Sequence, residues 1–438
     1  MKKYDVAIIG GGLAGLIAAI ELAEAGKSVA LLEKSSRVGG RAITVNKSGA
    51  LFNLGGHALY LGGEANRVFR EYGLKLTGNK PSTKGLAIWR NELFPMPGDP
   101  MALLSSRLLG WSGKAKLLST IVKINKTNAD EIAAISLRSW AESAINDPMV
   151  RHIFYALCRT ATYTQDPDFQ LAGPVLKQVK SSLKEGVMYL DGGWQTIVDQ
   201  LRDRAIQKGV DILINKSAAE IQHERRAVSG VLCTDGTLLE VSSVISTASP
   251  AVTYQITKDA ESTSLRRWKD EVRPAVAASL DLALKRLPAA DRNFAIGLDQ
   301  PVFFSNHSRA AKLSDNGTIV VHLTKYNGPG QHDPKSDEKL LEQTMSLLHP
   351  DWEREVVARQ YLPNITVVND YPHLGRTQSA IGPAVPEIEG LYVAGDWVSH
   401  GELLADASAA SAIRAAYHIV KAANGRGVRL LPATASVL

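Results

Sequence analysis

Apolar residues recur along the chain with strand-like and helix-like spacing, and these patterns predict its secondary structure. Near the start, the apolar run Val6 to Ile9 is typical of a buried parallel strand. The stretch from Leu13 to Ala25 is almost entirely apolar or small and is followed by Gly26, which predicts a helix. A second run, Ser28 to Leu32, predicts another strand. The chain therefore opens with a strand–helix–strand unit.

Three glycines join the first strand to this helix at the spacing of a dinucleotide-binding loop. Gly10 permits a tight turn, Gly12 lets the backbone approach a pyrophosphate, and Gly15 lets the helix pack closely on the strand. The free N–H groups at the start of the helix, on Leu13 and Ala14, suit a diphosphate. The loop therefore predicts a dinucleotide site.

Glu33 ends the second strand, roughly 20 residues after the glycine loop, as expected for this kind of site. A carboxylate there accepts hydrogen bonds from both ribose hydroxyls and disfavours a 2′-phosphate. At this point NAD and FAD both remain candidates.

The α/β pattern is interrupted twice, which predicts a discontinuous domain. Its segments are 1–80, 185–264 and 376–438, and they predict an α/β, Rossmann-like dinucleotide-binding domain. The α+β insertions 81–184, mostly helical, and 265–375, with strands, predict a substrate-binding domain. The last dozen residues are expected to be loosely ordered.

Composition and charge exclude several classes of protein. The 438 residues include 50 basic and 44 acidic ones, and this mild excess does not predict a nucleic-acid partner. Cys158 and Cys233 form neither a CxxC motif nor a metal-binding cluster, so we expect no metal. Because the first strand begins at Tyr4, and no long apolar run occurs, we expect a cytoplasmic protein without a signal peptide or membrane span.

The segment from Met101 to Ile124 has two interpretations. Leucines alternate there with Arg107 and several lysines, as in a basic amphipathic surface for lipid. We favour helices that pack on their own core, because apolar stripes usually face a core. Peripheral membrane contact stays open.

Four motifs together resemble those of the flavin amine oxidase superfamily, which includes monoamine oxidases, protoporphyrinogen oxidases and phytoene-type desaturases. The motifs are Gly10-x-Gly12-x-x-Gly15, Glu33-x3-Arg37-x-Gly39-Gly40-Arg41, Asp191-Gly192-Gly193 and Gly395-Asp396. The resemblance spans essentially the whole chain in order, although the insertions match only in texture. It implies FAD as a resident cofactor.

The resemblance also implies which residues contact FAD. Arg37 and Arg41 would lie along the ribose and pyrophosphate, and Asp396 would bond the ribityl or pyrophosphate region. Ala219 would bracket the adenine, and Leu404 would offer its N–H to the flavin C2 carbonyl. The complete set of expected cofactor residues is Gly10, Gly12, Leu13, Ala14, Gly15, Glu33, Lys34, Arg37, Gly39, Gly40, Arg41, Gly55, Gly56, His57, Ala219, Gly395, Asp396 and Leu404.

Two absences from the sequence refine this expectation. There is no second Gly-x-Gly-x-x-Gly after a strand, so a reductase that takes electrons from NAD(P)H is disfavoured. The last 200 residues contain no cysteine, so a cysteinyl flavin near Asp396 is excluded. We therefore expect non-covalent FAD.

Two side chains are candidates for catalysis. His57 is expected beside the flavin because its loop should touch the ring, and histidine suits proton transfer near neutral pH. The alternative is a histidine whose hydrogen bonds are satisfied by backbone. Lys325 follows a predicted strand, as does a lysine that holds a water at flavin N5 in many amine oxidases. A solvated lysine is the favoured alternative.

The sequence therefore predicts an FAD-dependent oxidoreductase that takes a hydride from a C–N or C–C bond of a bulky, apolar substrate. Oxygen or a quinone-like acceptor would reoxidise the flavin. A phytoene-type desaturase or isomerase and a protoporphyrinogen oxidase-like enzyme are alternatives within this class. A flavin-binding protein without turnover is the alternative from another class.

Overall fold

The computed structural model describes residues 3–82, 84–132, 134–330, 332–376 and 381–424. The expectation of a loosely ordered terminus lies outside these ranges. The helices are α1 (Leu13–Glu24), α2 (Glu64–Glu71), α3 (Pro100–Ser105), α4 (Trp111–Lys126), α5 (Leu137–Ala144), α6 (Pro148–Thr162), α7 (Ala172–Glu185), α8 (Gln195–Gln207), α9 (Pro250–Ile256), α10 (Ser264–Glu271), α11 (Pro334–Leu348) and α12 (Leu404–Asn424). The strands are β1 (Val6–Ile9), β2 (Val29–Leu32), β3 (Thr44–Lys47), β4 (Ala50–Asn53), β5 (Leu59–Tyr60), β6 (Gly78–Asn79), β7 (Leu86–Trp89), β8 (Glu92–Pro95), β9 (Val187–Leu190), β10 (Asp211–Leu213), β11 (Ala218–Glu224), β12 (Ala227–Cys233), β13 (Leu238–Glu240), β14 (Ser243–Ser246), β15 (Ala275–Leu284), β16 (Phe294–Gly297), β17 (Val302–Asn306), β18 (Ile319–Asn327), β19 (Val356–Val368) and β20 (Leu391–Val393).

A parallel sheet joins the start, middle and end of the chain. Its strand order is β10-β2-β1-β14-β20, and every pair in it is parallel. In register, Val6 of β1 lies between Val29 of β2 and Ser243 of β14. Both β1 and β2 are buried along their whole length, as their continuous apolar runs predict. Helices α1, α8 and α12 pack together on this sheet.

A second, seven-stranded sheet combines the two insertions. Its order is β19-β15-β18-β17-β16-β7-β8, so the hairpin β7–β8 of the first insertion extends a sheet formed by the second. One face packs on α11 through an apolar core that includes Leu280, Leu323 and Met345. Helices α4 to α7 form a separate core at the other end of the sheet. The exact residue boundaries of the two domains stay predictions.

The longest strand, β19, is not among the predicted elements. It lies at the edge of its sheet and contains Pro363 and several polar residues, which obscure its alternation. Edge strands tolerate proline because one side of their backbone has no strand partner. The short helices α9 and α10 were also not predicted, whereas the hairpin turn at Asn91 is confirmed.

Candidate active site

The loop between β1 and α1 admits very little side-chain volume. Gly10 has a φ of +106°, which favours glycine. A Cβ on Gly15 would lie 1.9 Å from the carbonyl oxygen of Gly10. A Cβ on Gly12 would have nothing within 4 Å, because this glycine borders an open cleft with Leu13 and Ala14. No side chain caps the N-terminus of α1, so its N–H groups fit a diphosphate in this cleft.

Glu33 is fixed at the same end of the cleft. Its Oε2 accepts the Gly11 N–H at 2.8 Å, and its Oε1 accepts the Ser35 N–H at 2.8 Å. Lys34 and Ser35 also line the cleft beside it. A carboxylate oxygen can accept more than one hydrogen bond, so the fixed carboxylate retains capacity for the hydroxyls of a ribose.

Arg41 and Asp396 bind each other across the cleft. The guanidinium donates two hydrogen bonds to the carboxylate, at 2.9 and 2.8 Å, and the backbone and side-chain nitrogens of Asn369 donate two more. Burial acts to raise the pKa of Asp396, but the charge of Arg41 and these hydrogen bonds lower it overall. Ser411 fixes the neighbouring Gly395, whose N–H and carbonyl both bond its hydroxyl.

All of the expected cofactor residues except Gly15, Arg37 and Ala219 line this one cleft. Gly15 instead gives the helix its close contact with Gly10. Neither Arg37 nor Ala219 borders the cleft, and their contacts with the cofactor stay predictions. The Arg37 side chain is exposed beyond β2, and Ala219 is exposed at an irregularity of β11.

The cleft, with a volume of about 410 Å³, extends from the glycine loop to the second sheet. At that far end its wall is apolar, aromatic or weakly polar. The residues there include Leu54, Leu59, Tyr60, Tyr163, Ala277, Ser279, Thr324 and Ile365. The side chains that the second sheet contributes, on β15, β18 and β19, are uncharged.

His57 lies on the cleft, but its ring nitrogens face backbone. Nδ1 is 2.9 Å from the carbonyl oxygen of Gly55, and Nε2 is 3.1 Å from that of Arg41. The ring also makes an edge contact with Trp194, with centroids 5.0 Å apart. Burial lowers the pKa of His57. These contacts favour the interpretation of a histidine that shapes the loop.

Lys325, the second catalytic candidate, does not line the cleft, and a role for it at the flavin stays a prediction. Its ammonium bonds Asp337 Oδ1 and Asn327 Oδ1, both at 2.7 Å. Side chains alternate between the faces of a strand, so Thr324 reaches the cleft while its neighbour Lys325 points toward α11.

Thr324 forms a buried triad with His322 and Asp281, which lie behind it. His322 Nδ1 bonds the carboxylate of Asp281, and His322 Nε2 is 2.7 Å from the hydroxyl of Thr324. Asp281 faces His322 across β15 and β18, and Ser279 faces Thr324 one step along. When Nδ1 carries the proton and donates to Asp281, Nε2 is free to accept a hydrogen bond from the Thr324 hydroxyl. This is the pattern of an Asp–His–hydroxyl arrangement.

The triad lies directly against the loop of Gly55 to His57. A Cβ on Gly56 would be only 2.6 Å from His322 Nε2, so glycine permits this close approach. Gln360 of β19 donates one amide hydrogen bond to Asp281 Oδ2 and another to the Asn53 carbonyl, both at 3.0 Å. The second carboxylate oxygen is thereby satisfied, and the triad is fixed to both domains.

Asp406, near the start of α12, is a second buried acid on the cleft. Its Oδ1 accepts the Ala65 N–H of α2 at 2.9 Å. Burial raises its pKa to about 7, although the Ala65 hydrogen bond acts against this shift. Its protonation therefore changes near neutral pH.

The family model described as flavin containing amine oxidoreductase matches residues 13–420. The chain belongs to the flavin-containing amine oxidoreductase family. The prediction of an FAD-dependent oxidoreductase is therefore confirmed. The glycine loop, the α1 N-terminus and Glu33 fit the dinucleotide part of such a cofactor.

Several proteins are similar to this chain in sequence or in structure. A 4,4'-diaponeurosporene oxygenase of Staphylococcus aureus is 22% identical over 359 residues, which are 73% of this chain and 71% of the relative. An oxidoreductase from Methanosarcina mazei superposes with a TM-score of 0.77 at 19% identity, covering 94% of this chain and 99% of that one. A putrescine oxidase bound to putrescine gives 0.75 at 16% identity, covering 96% and 99%. These similarities confirm the α/β fold.

Sequence reasoning missed the triad, although a signal existed. In β15, Ser279 and Asp281 interrupt an apolar run at alternate positions, and His322 and Thr324 do so in β18. Each pair therefore occupies one face of its strand.

Within the described ranges of the chain, no helix is both long and apolar enough to cross a bilayer, and no acidic, histidine or cysteine cluster suits a metal ion.

Proposed function

We propose that this protein binds FAD non-covalently and oxidises an uncharged, largely apolar substrate by hydride transfer, while the triad accepts a proton. Non-covalent binding is supported by the absence of cysteine from the sequence after Cys233. FAD, rather than a flavin lacking the adenosine half, is supported by the glycine loop and Glu33 at the far end of the cleft from the triad.

FAD, when bound, supplies a two-electron acceptor for a hydride from a C–H bond of the substrate. The chain's own residues hold the cofactor and transfer the proton. The free N–H groups of α1 would hold the pyrophosphate, and Glu33 would accept from the ribose hydroxyls. The paired Arg41 and Asp396 hold the loop of Gly395 beside the cofactor.

The triad is the observation that carries the proposal. Oxidation removes a hydride and a proton, and the proton needs an acceptor when it leaves a nitrogen, an oxygen or a neighbouring carbon. Thr324 takes that proton at Oγ1 as its own hydroxyl proton passes to Nε2 of His322, whose imidazolium is stabilised by Asp281. A positioned base of this kind contributes about 10²–10⁴-fold to rate.

The substrate class follows from the wall of the cleft opposite α12. Leu54, Leu59 and Ile365 are apolar, and the hydroxyls of Ser279 and Thr324 are uncharged. Burial of an ionised substrate there would carry a desolvation penalty. A neutral amine, a hydrocarbon or a reduced macrocycle each satisfies this requirement. Oxygen or a quinone-like compound then reoxidises the flavin.

The test is anaerobic mixing of the purified holoprotein with a substrate panel that includes putrescine and 4,4'-diaponeurosporene. We expect an apolar compound to bleach the oxidised flavin band and the Thr324→Val variant to bleach it about 10²-fold more slowly. A flavin that stays oxidised with every compound, yet reduces photochemically, would favour the protein without turnover. Recovery of free FAD after acid precipitation tests the non-covalent attachment.

A further inference from the structure

Helix α4 has two apolar stripes, of which only one is buried. The buried residues occur at helical spacing and belong to the core of the helical insertion. They are Gly113, Leu117, Thr120 and Ile124. Each residue of the other stripe lies two positions before a buried one. These residues are Trp111, Leu118 and Val122, and their side chains are 75%, 52% and 51% exposed. Two residues correspond to about 200° around a helix, so the stripes lie on opposite faces.

The exposed stripe continues onto the preceding short helix. Met101 and Leu104 of α3 are 75% and 55% exposed. Lys114 Nζ donates to the Leu104 carbonyl at 2.6 Å, which joins the end of α3 to the start of α4. We call the surface formed by Met101, Leu104, Trp111, Leu118 and Val122 the apolar patch. In the described parts of the chain, these five are a large share of the exposed large apolar side chains.

The charges within the segment that carries the apolar patch all have one sign. Residues 100–127 contain five basic residues and no acidic one. The basic residues are Arg107, Lys114, Lys116, Lys123 and Lys126. The acids beside this segment cap helices: Asp99 accepts the Ala102 N–H of α3, and Asp147 accepts the Met149 and Val150 N–H groups of α6. Asp147 also lies 3.7 Å from Lys116. The surface is therefore apolar along its centre and positive around it.

We propose that α3 and α4 dock the protein on a bilayer that contains anionic lipid. A helix with an exposed apolar face among lysines lies in the plane of the interface, with its apolar side chains among the acyl chains. Tryptophan favours that depth because its ring is amphipathic. Each nearby lysine or arginine adds attraction to anionic headgroups. The docking does not depend on which compound the cleft oxidises.

Charge argues for lipid over a second copy of the chain. Two copies that met patch to patch would bring ten basic side chains together without compensating acids from this segment, and like charges across an interface oppose association. An anionic bilayer instead complements both the apolar centre and the positive surround.

The experiment is flotation of the full-length holoprotein with vesicles of phosphatidylcholine alone or with about 30% phosphatidylserine, a composition that supplies a negative surface potential. We expect binding to the anionic vesicles that weakens as salt is raised, and little binding to neutral ones. The variant Leu104→Ser/Leu118→Ser should bind at least about tenfold more weakly, because two apolar side chains no longer leave water. The variant Lys123→Gln/Lys126→Gln should also lose part of the salt-dependent binding, but less than the Leu104→Ser/Leu118→Ser variant loses.

A matched control removes equally exposed apolar side chains elsewhere. Ile206 on α8 and Leu183 on α7 are 55% and 52% exposed, the same fractions as Leu104 and Leu118. Ile206→Ser/Leu183→Ser should float like the wild type. Equal binding by the two double variants would overturn the proposal. So would a wild type that ignores anionic vesicles but forms a dimer that the Leu104→Ser/Leu118→Ser variant loses. Bound flavin and circular dichroism verify that each variant is folded.

Discussion

The two sheets that border the cleft present different chemistry to it. Beside the parallel sheet, the wall is backbone, formed by Gly10, Gly12 and the first N–H groups of α1. The seven-stranded sheet presents side chains, with Thr324 at the wall and His322 and Asp281 buried behind it. Backbone amides have fixed polarity, whereas a histidine and a hydroxyl can exchange a proton. In the proposed mechanism, cofactor binding belongs to the first wall and proton transfer to the second.

This division implies two kinds of sensitivity. The backbone wall is damaged by added volume, because a methyl group occupies space that the ligand or a neighbouring carbonyl needs. The side-chain wall is damaged when a substitution removes a functional group, even if the volume of the side chain is unchanged. The predictions below test this contrast.

The largest effect is expected at the glycine loop. In Gly15→Ala the new Cβ meets the Gly10 carbonyl oxygen at 1.9 Å, so the backbone must move, and we expect loss of flavin and destabilisation by about 3 kcal/mol. Gly12→Ala has open space around its Cβ and should fold normally while it binds flavin weakly. Thermal unfolding and flavin titration measure both. Similar unfolding temperatures for the two variants would contradict the backbone assignment.

The next effect concerns the triad. Thr324→Val retains the volume and removes the hydroxyl, so we expect flavin reduction about 10²-fold slower at unchanged flavin content. Thr324→Ser should restore most of the rate. Asp281→Asn should also slow reduction, because His322 loses the carboxylate that its Nδ1 bonds. Stopped-flow reduction across pH measures these rates.

Lys325 provides the control on the same strand. Lys325→Gln can still donate to Asp337 and lies outside the cleft, so its rate should stay within about threefold of wild type, a small energy change. A large loss in this variant with a normal rate in Thr324→Val would reverse the assignment of the two residues.

A smaller effect is expected at Arg41. Lysine cannot reproduce the bidentate contact with Asp396, so Arg41→Lys should weaken flavin binding roughly tenfold. Because the pKa of Asp396 is lowered, the wild type should retain its flavin as the pH falls toward 5. Equilibrium dialysis at pH 5 and 8 tests both statements. Loss of wild-type flavin at pH 5 would show that this pair is not what holds it.

The last prediction concerns the stability of the fold, not flavin binding or reduction. The pKa of Asp406 is raised to about 7, so the folded state binds its proton more tightly than the unfolded state does. Stability then falls as pH rises from about 4 to 7 and levels off above that. Asp406→Asn removes this penalty and should gain up to about 4 kcal/mol at pH 8 with little change near pH 4. Urea unfolding at the two pH values measures it, and an equal gain at both would contradict the titration.

The dinucleotide wall could be predicted from sequence because its parts are local. The glycine loop, α1 and Glu33 lie within one short stretch, and the close contact of Gly15 with Gly10 depends on residues five positions apart. Arg37 and Ala219 do not line the cleft, because a motif fixes neither where an exposed side chain points nor how a distant strand is irregular.

The triad could not be found by the same means. Asp281 and His322 meet only because β15 and β18 pair in one register, and a shift by one residue would turn His322 to the opposite face. Lys325 became a candidate because the resemblance suggests a lysine on a strand of the substrate domain. Alternation within β18 instead places Thr324, and not Lys325, at the cleft. The two-faced character of α4 likewise needed its packing partners before one stripe could be distinguished as exposed.

The order of the parallel sheet has a consequence for biosynthesis. β1 is its central strand, yet β20 begins only at Leu391, and Leu404 of α12 is made later still. At 5–20 residues per second, a ribosome needs roughly 20–80 s between these strands. During that interval the nascent N-terminal unit exposes an apolar sheet edge, a state on which chaperones act. The cleft can be completed only after Leu404 has been made.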